Sequence, residues 1–194
     1  MKNARLIGIV LCGGKSKRMG NDKALLNYHD QPQVYHLTNL LNDICEKVVV
    51  SANLPLSQHL SSDCYSIADA PEFANHGPLS GLLSVAQEFP GSNFLVVGCD
   101  YPFLQKKDLE QLTNHFKGIQ SCGILNPETN EIEPLICLYS AADISALATE
   151  LKSGNDSLRR FLIKRDAMKV ASGTSKAYLS VDTPDEYQKI ISAS

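Results

Sequence analysis

The sequence predicts an α/β protein built on a doubly wound, mostly parallel sheet with helices on both faces. Two observations carry that expectation. Residues 6–11, 48–51 and 94–99 are continuous apolar, branch-rich runs without polar alternation, as strands covered on both faces require. Segments with helical spacing at 34–44 and 79–88 separate them, so strand and helix alternate as in the crossover units of a parallel sheet.

The elements follow in order. The first strand, 6–11, stops at Gly13-Gly14, where the backbone turns into a polar loop. The helix at 34–44 leads to the strand at 48–51, and the helix at 79–88 leads to the strand at 94–99. Beyond Asp100 the pattern loosens: a helix at 107–116, short strands at 122–125 and 135–138, and helices at 141–151 and 157–164. A short strand is expected at 178–181. The last helix announces itself through Thr183-Pro184-Asp185-Glu186, with an N-cap threonine, proline at the first helical position and glutamate at the third. Two polar stretches, 69–77 and 126–133, are loops long enough to carry function.

A chain of 194 residues can bury roughly 70% of the surface its unfolded form exposes, so one domain holds a core without disulfide or metal. Lysine and arginine total 18 against 21 aspartate and glutamate, a net charge of -3, which disfavours a nucleic-acid partner needing a broad basic face. The six cysteines lack a C-x-x-C pair and sit mostly in apolar runs, reading as small core residues in a reducing cytosol. The apolar stretch after Lys2 and Arg5 has only seven residues and runs into glycines and cations. It is no signal sequence, and no run reaches the ~18 apolar residues of a membrane span, so a cytoplasmic protein is expected.

The segment Leu11-Cys12-Gly13-Gly14-Lys15-Ser16-Lys17-Arg18-Met19-Gly20-Asn21-Asp22-Lys23 is the most informative. Lys15, Lys17, Arg18 and Lys23 fall within nine residues of an otherwise acidic chain, and the glycines let backbone N–H groups approach an anion. Such a loop suits a polyphosphate. A Walker loop ending at Gly14-Lys15-Ser16 would need glycine where Ile9 stands, and adjacent Gly13 and Gly14 do not make G-x-G-x-x-G. A solvated basic turn is the alternative.

Asp100 ends an otherwise buried strand, where a carboxylate wants a cation. Asp182 ends the expected strand 178–181 and can meet Asp100 across the same sheet edge, where ligands of parallel sheets bind. Two carboxylates plus substrate phosphate oxygens are what a protein commonly offers magnesium. Caps and turns are the ordinary alternative for both. The histidines share no metal or triad spacing; His76, beside Gly77, alone falls in a candidate site loop.

These motifs together resemble one family. Residues 11–23 are similar to the signature L-A-G-G-x-S-x-R-M-G-x-D-K of the molybdenum cofactor guanylyltransferases and their nucleotidyltransferase relatives, departing from it at Cys12. Cys99-Asp100-Tyr101-Pro102-Phe103-Leu104 resembles the family's C-D-x-P-F-L element, and Gly77-Pro78-Leu79-Ser80-Gly81 resembles G-P-L-A-G. Ser180-Val181-Asp182-Thr183-Pro184 resembles N-V-N-T-P with both asparagines replaced. Further likeness lies at 48–53, at Pro134-Leu135 with Tyr139, and at 154–161, which includes Arg159.

The resemblance implies a Rossmann-like nucleotidyltransferase fold in one domain over 1–194, with nucleotide bound by 1–104 and acceptor by 105–194. It implies Mg2+-dependent transfer of GMP from GTP to molybdopterin or its molybdenum-loaded form, releasing pyrophosphate. Leu11, Gly13, Gly14, Gly20, Lys23, Asn53, Asp69, Gly77, Pro78 and Asp100 would bind nucleotide, with Asp69 reading guanine. Lys23, Arg18 and Asp100 would be catalytic, and Asp100 with Asp182 would hold the metal. Other cofactor-biosynthesis proteins or recipient apoenzymes are the implied partners. A cytidylyltransferase or another transferase of the same fold, and a non-catalytic nucleotide-binding regulator, are the alternatives.

Overall fold

The computed structural model describes residues 4–12 and 23–192. Strands are β1 (Leu6–Leu11), β2 (Lys47–Ser51), β3 (Ser66–Ile67), β4 (Asn93–Gly98), β5 (Cys122–Asn126), β6 (Glu131–Tyr139) and β7 (Met168–Val170). Helices are α1 (Gln33–Asn42), α2 (Leu54–Ser57), α3 (Pro78–Glu88), α4 (Lys106–His115), α5 (Ala141–Lys152), α6 (Leu158–Lys164) and α7 (Pro184–Ile191), with 3-10 turns at Lys23–Leu25 and Pro71–Phe73.

Among the described residues, one sheet takes the order β3-β2-β1-β4-β6-β5-β7. β1 pairs in parallel with β2 and β4, and β2 with β3, while β6 is antiparallel to both β4 and β5. The expected mostly parallel, doubly wound sheet is therefore present, with β6 reversed by a local cause. β5 and β6 form a hairpin whose short turn places Asn130 at φ 56°, and a connection that short can only join antiparallel neighbours. The polar stretch 126–133 is accordingly shorter as a loop than expected, since Glu131 already belongs to β6.

Alternate side chains of the strands feed two cores. Val10, Val50 and Val97 pack with Leu37 and Leu41 of α1 and Leu109 of α4 on one face. Ile9, Val49 and Val96 pack with Leu82 of α3, Leu147 of α5 and Phe161 of α6 on the other. Both faces being covered explains why β1 and β4 read as unbroken apolar runs.

The chain winds outward from β1 through β2 to β3, and α3 then returns it along the opposite face to β4, on the other side of β1. The strand order thus reverses between β1 and β4, which run in register from Leu6↔Asn93 to Leu11↔Gly98. Their C-terminal ends form the crevice where such sheets bind ligands.

The strand expected at 178–181 does not form: these residues are irregular. β4 already has β1 on one side and β6 on the other, so no ladder edge is open to them. A single backbone bond, Val181 N–H to the Asp100 carbonyl at 2.8 Å, docks the segment instead. Upstream, Asp108 of α4 is fully buried and accepts from the Ser172 hydroxyl and the Thr174 N–H, both at 2.8 Å. No helix among the described residues is long and apolar enough to cross a membrane.

Candidate active site

Asp100 lies two residues beyond β4, at the reversal of strand order. A Cβ placed on Gly98 would stand 2.5 Å from Asp100 Oδ1, so the missing side chain at 98 lets the carboxylate fold back over the strand end. Burial pushes the Asp100 carboxyl up to about 6; Asp182 and Glu133 push the same way, and Lys23 opposes them.

Lys23 begins the 3-10 turn after the glycine-rich segment, and Ala24 beside it is fully buried, anchoring the turn. Lys23 Nζ donates to Asp182 Oδ1 at 2.6 Å, with the lysine side chain only 15% exposed. Ser180 Oγ donates to Asp182 Oδ2 at 3.2 Å. The start of α7 fixes this carboxylate: Thr183 and Glu186 form the capping box, and Glu186 Oε2 accepts the N–H groups of Asp182 at 2.7 Å and Thr183 at 3.0 Å. Because Val181 docks on the Asp100 carbonyl, Asp182 reaches the same strand end without a strand of its own.

The remaining candidates lie as follows. Leu11 closes β1 and is buried. Asn53 caps α2, its Oδ1 accepting the Leu56 N–H at 2.9 Å. Asp69 is exposed beyond β3, and partial burial of its carboxyl by the surrounding loop raises it from its ordinary value. Gly77 is the N-cap of α3 at φ 58°, ψ -135°, a conformation that excludes other residue types, and Pro78 occupies the first helical position. Gly81 packs α3 against the ends of β1 and β2: a Cβ there would lie 2.2 Å from Ser51 Oγ. Gly13, Gly14, Arg18 and Gly20 lie outside the described residues.

A polar cluster that the sequence reading missed lies beside Asp100. Glu133, buried on β6, accepts from the Tyr101 hydroxyl at 3.1 Å and from Asn126 Nδ2 at 2.8 Å. Arg159 bonds Glu131 and places Nη2 3.8 Å from Glu133 Oε2. The signal lay in Glu131-Ile132-Glu133: acids two apart on a strand share a face and call for a cation. His76 reaches Asp156 at 3.4 Å, linking the loops before α3 and α6.

Among the described residues no group of three or more His, Cys, Asp and Glu is assembled around one point. The protein donors at the strand ends are the carboxylates of Asp100 and Asp182. Two hard carboxylate donors, Asp182 held by the Lys23 and Ser180 contacts and Asp100 at the end of β4, fit a magnesium ion completed by substrate phosphates and water.

The family model of the MobA-like NTP transferase domain matches residues 8–169. A molybdenum cofactor guanylyltransferase of Ralstonia nicotianae is 26% identical over 95% of both chains. A molybdenum cofactor biosynthesis bifunctional protein of Synechocystis is 40% identical over 108 residues, 55% of this chain but 30% of that protein, so the chain spans less than a third of its length. The fold is shared with a crystal structure of the molybdopterin-guanine dinucleotide biosynthesis protein A of Archaeoglobus fulgidus, at a TM-score of 0.71, 17% identity, and 96% and 97% coverage.

Proposed function

The chain belongs to the MobA-like NTP transferase domain family, so its chemistry is nucleotidyl transfer, and we propose that it moves GMP from GTP to molybdopterin or its molybdenum-loaded form, releasing pyrophosphate. The observation that carries this reading is the convergence of Asp100, Asp182 and Lys23 on the crevice between β1 and β4. The acceptor phosphate attacks the α-phosphorus in line, so the protein positions groups and offsets charge, and forms no covalent bond to either substrate.

In this reading residues 1–104 bind the nucleotide and 105–194 the acceptor within one domain. Leu11, Gly13, Gly14 and Gly20 bring backbone to the triphosphate, and Arg18 and Lys23 offset its charge. Asn53, Gly77 and Pro78 border the nucleoside. The Asp69 carboxylate accepts from the N1–H and 2-amino group of guanine, an edge that adenine and cytosine do not present. Asp100 and Asp182 hold Mg2+, which when bound screens the phosphates and stabilises charge developing on pyrophosphate. Other cofactor-biosynthesis proteins or recipient apoenzymes exchange the pterin with it in the cytoplasm.

Calorimetric titration with GTP, CTP, ATP and UTP, each with magnesium, tests the reading. Preference for GTP, lost selectively in Asp69→Ala, is expected. Preference for CTP would move the chain to cytidylyl transfer, and binding of GTP without pyrophosphate release in the presence of acceptor would make it a regulator.

A further inference from the structure

Cys12 and Cys99 directly follow Leu11 and Gly98, the last register pair of β1 and β4. Cys99 N–H donates to the Leu11 carbonyl at 3.1 Å, and Cys12 N–H donates to the Ser51 carbonyl at 2.9 Å, so both continue their strands by one residue. Adjacent strands run about 4.8 Å apart. The two side chains share a sheet face, because both rejoin the core of Val10 and Val97, whereas Leu11 and Val96 face the opposite core. A Cα separation near the strand spacing falls within the disulfide window of about 4.4 to 6.8 Å. Neither residue is in a disulfide; Cys12 is buried and Cys99 half-buried.

We propose that Cys12 and Cys99 are a redox modification site, closing into an intramolecular disulfide across the strand ends when a low-molecular-weight disulfide such as oxidised glutathione accumulates. The Cys99 thiolate, the more accessible, attacks one glutathione sulfur and expels a glutathione thiolate. The Cys12 thiolate then attacks the Cys99 sulfur and expels the second. The two cysteine protons pass to the departing thiolates, and the two electrons leave on the two reduced glutathione molecules.

Geometry sets this pair apart. Cys122 and Cys137 are also near neighbours in the β5–β6 hairpin, but their side chains enter opposite cores and both are sealed from an oxidant. Closing the bond draws the Cβ atoms to about 3.8 Å, less than the spacing the ladder dictates, which strains the bond and makes it easily reduced. Cys12 precedes Gly13-Gly14 and Cys99 precedes Asp100, so the closure displaces both halves of the proposed nucleotide site; this consequence rests on the proposed function.

The test treats the full chain with oxidised glutathione, quenches in acid, alkylates remaining thiols, and identifies linked fragments by mass spectrometry, with GTP·Mg2+ titration in parallel. The expected result is a 12–99 link reversed by dithiothreitol, with affinity for GTP falling about tenfold and returning on reduction. Cys99→Ala should lose the link and keep its GTP affinity after oxidation, whereas Cys12→Ala should lose the link and retain glutathione as a mixed disulfide on Cys99. Recovery of both thiols unlinked, or a link confined to other cysteines, overturns the site. A 12–99 link without change in GTP affinity overturns its effect on binding. A reduced chain that binds no nucleotide counts against the proposed function alone, because the link is read by mass.

Discussion

Lys23 Nζ lies 2.6 Å from Asp182 Oδ1, joining the residue that ends the glycine-rich segment to the turn that begins the last helix, 159 positions later. The carboxylate is 58% exposed, so the pair itself adds less than about 1 kcal/mol to stability. Its value is positional. It sets the ammonium and a second carboxylate against the strand end that carries Asp100.

Asp182→Asn keeps the shape of the turn and removes its charge. The fold should be retained, because the capping box of Thr183 and Glu186 does not involve the Asp182 side chain. The magnesium concentration for half-maximal pyrophosphate release should rise about tenfold, as loss of a metal-holding carboxylate commonly does. A titration of magnesium at saturating nucleotide checks it.

The Asp100 carboxyl makes stability depend on pH. It titrates at about 6 in the fold against about 3.9 in an unfolded chain, so its contribution is complete below the lower value and is lost as pH rises through the upper. Asp100→Asn cannot ionise. Without nucleotide or divalent cation it should melt a few degrees above wild type at pH 7.5, on the order of 2 kcal/mol, with the difference vanishing towards pH 4. Thermal unfolding of both proteins across that range is the measurement, and the same variant should lose pyrophosphate release by orders of magnitude.

Gly98→Ala is the complementary change. A methyl group 2.5 Å from Asp100 Oδ1 and 3.2 Å from Leu135 Cβ forces the carboxylate off the strand end. Turnover should fall about 100-fold in a protein that still folds, since displacements near 1 Å at reacting groups have that effect. Steady-state rates below the variant's melting temperature, beside its circular dichroism, check it.

What the sequence disclosed follows from how local each signal is. β1 and β4 are long apolar runs, and α7 carries proline and a capping box within four residues, so all three could be read directly. β3, β7 and α2 have two, three and four residues, too few for any periodicity to register. Residues 178–181 looked like a strand because the stretch is short and apolar, but pairing depends on an open edge, and β4 has none. Asp100 was legible from its place after a buried run. Its dependence on Gly98, the Lys23–Asp182 pair and the Glu133 cluster was not, because those contacts join distant segments or turn on a Cβ that is absent.

Transfer of GMP to a pterin phosphate can be followed in a single assay. The most direct measurement incubates the full chain with α-labelled GTP, magnesium and molybdopterin, and follows label into the pterin product together with pyrophosphate. Guanylyl transfer predicts label and pyrophosphate in equal amounts, dependent on magnesium and abolished in Asp100→Asn. Label that stays in GTP while a folded wild-type chain is saturated with nucleotide and acceptor would contradict it.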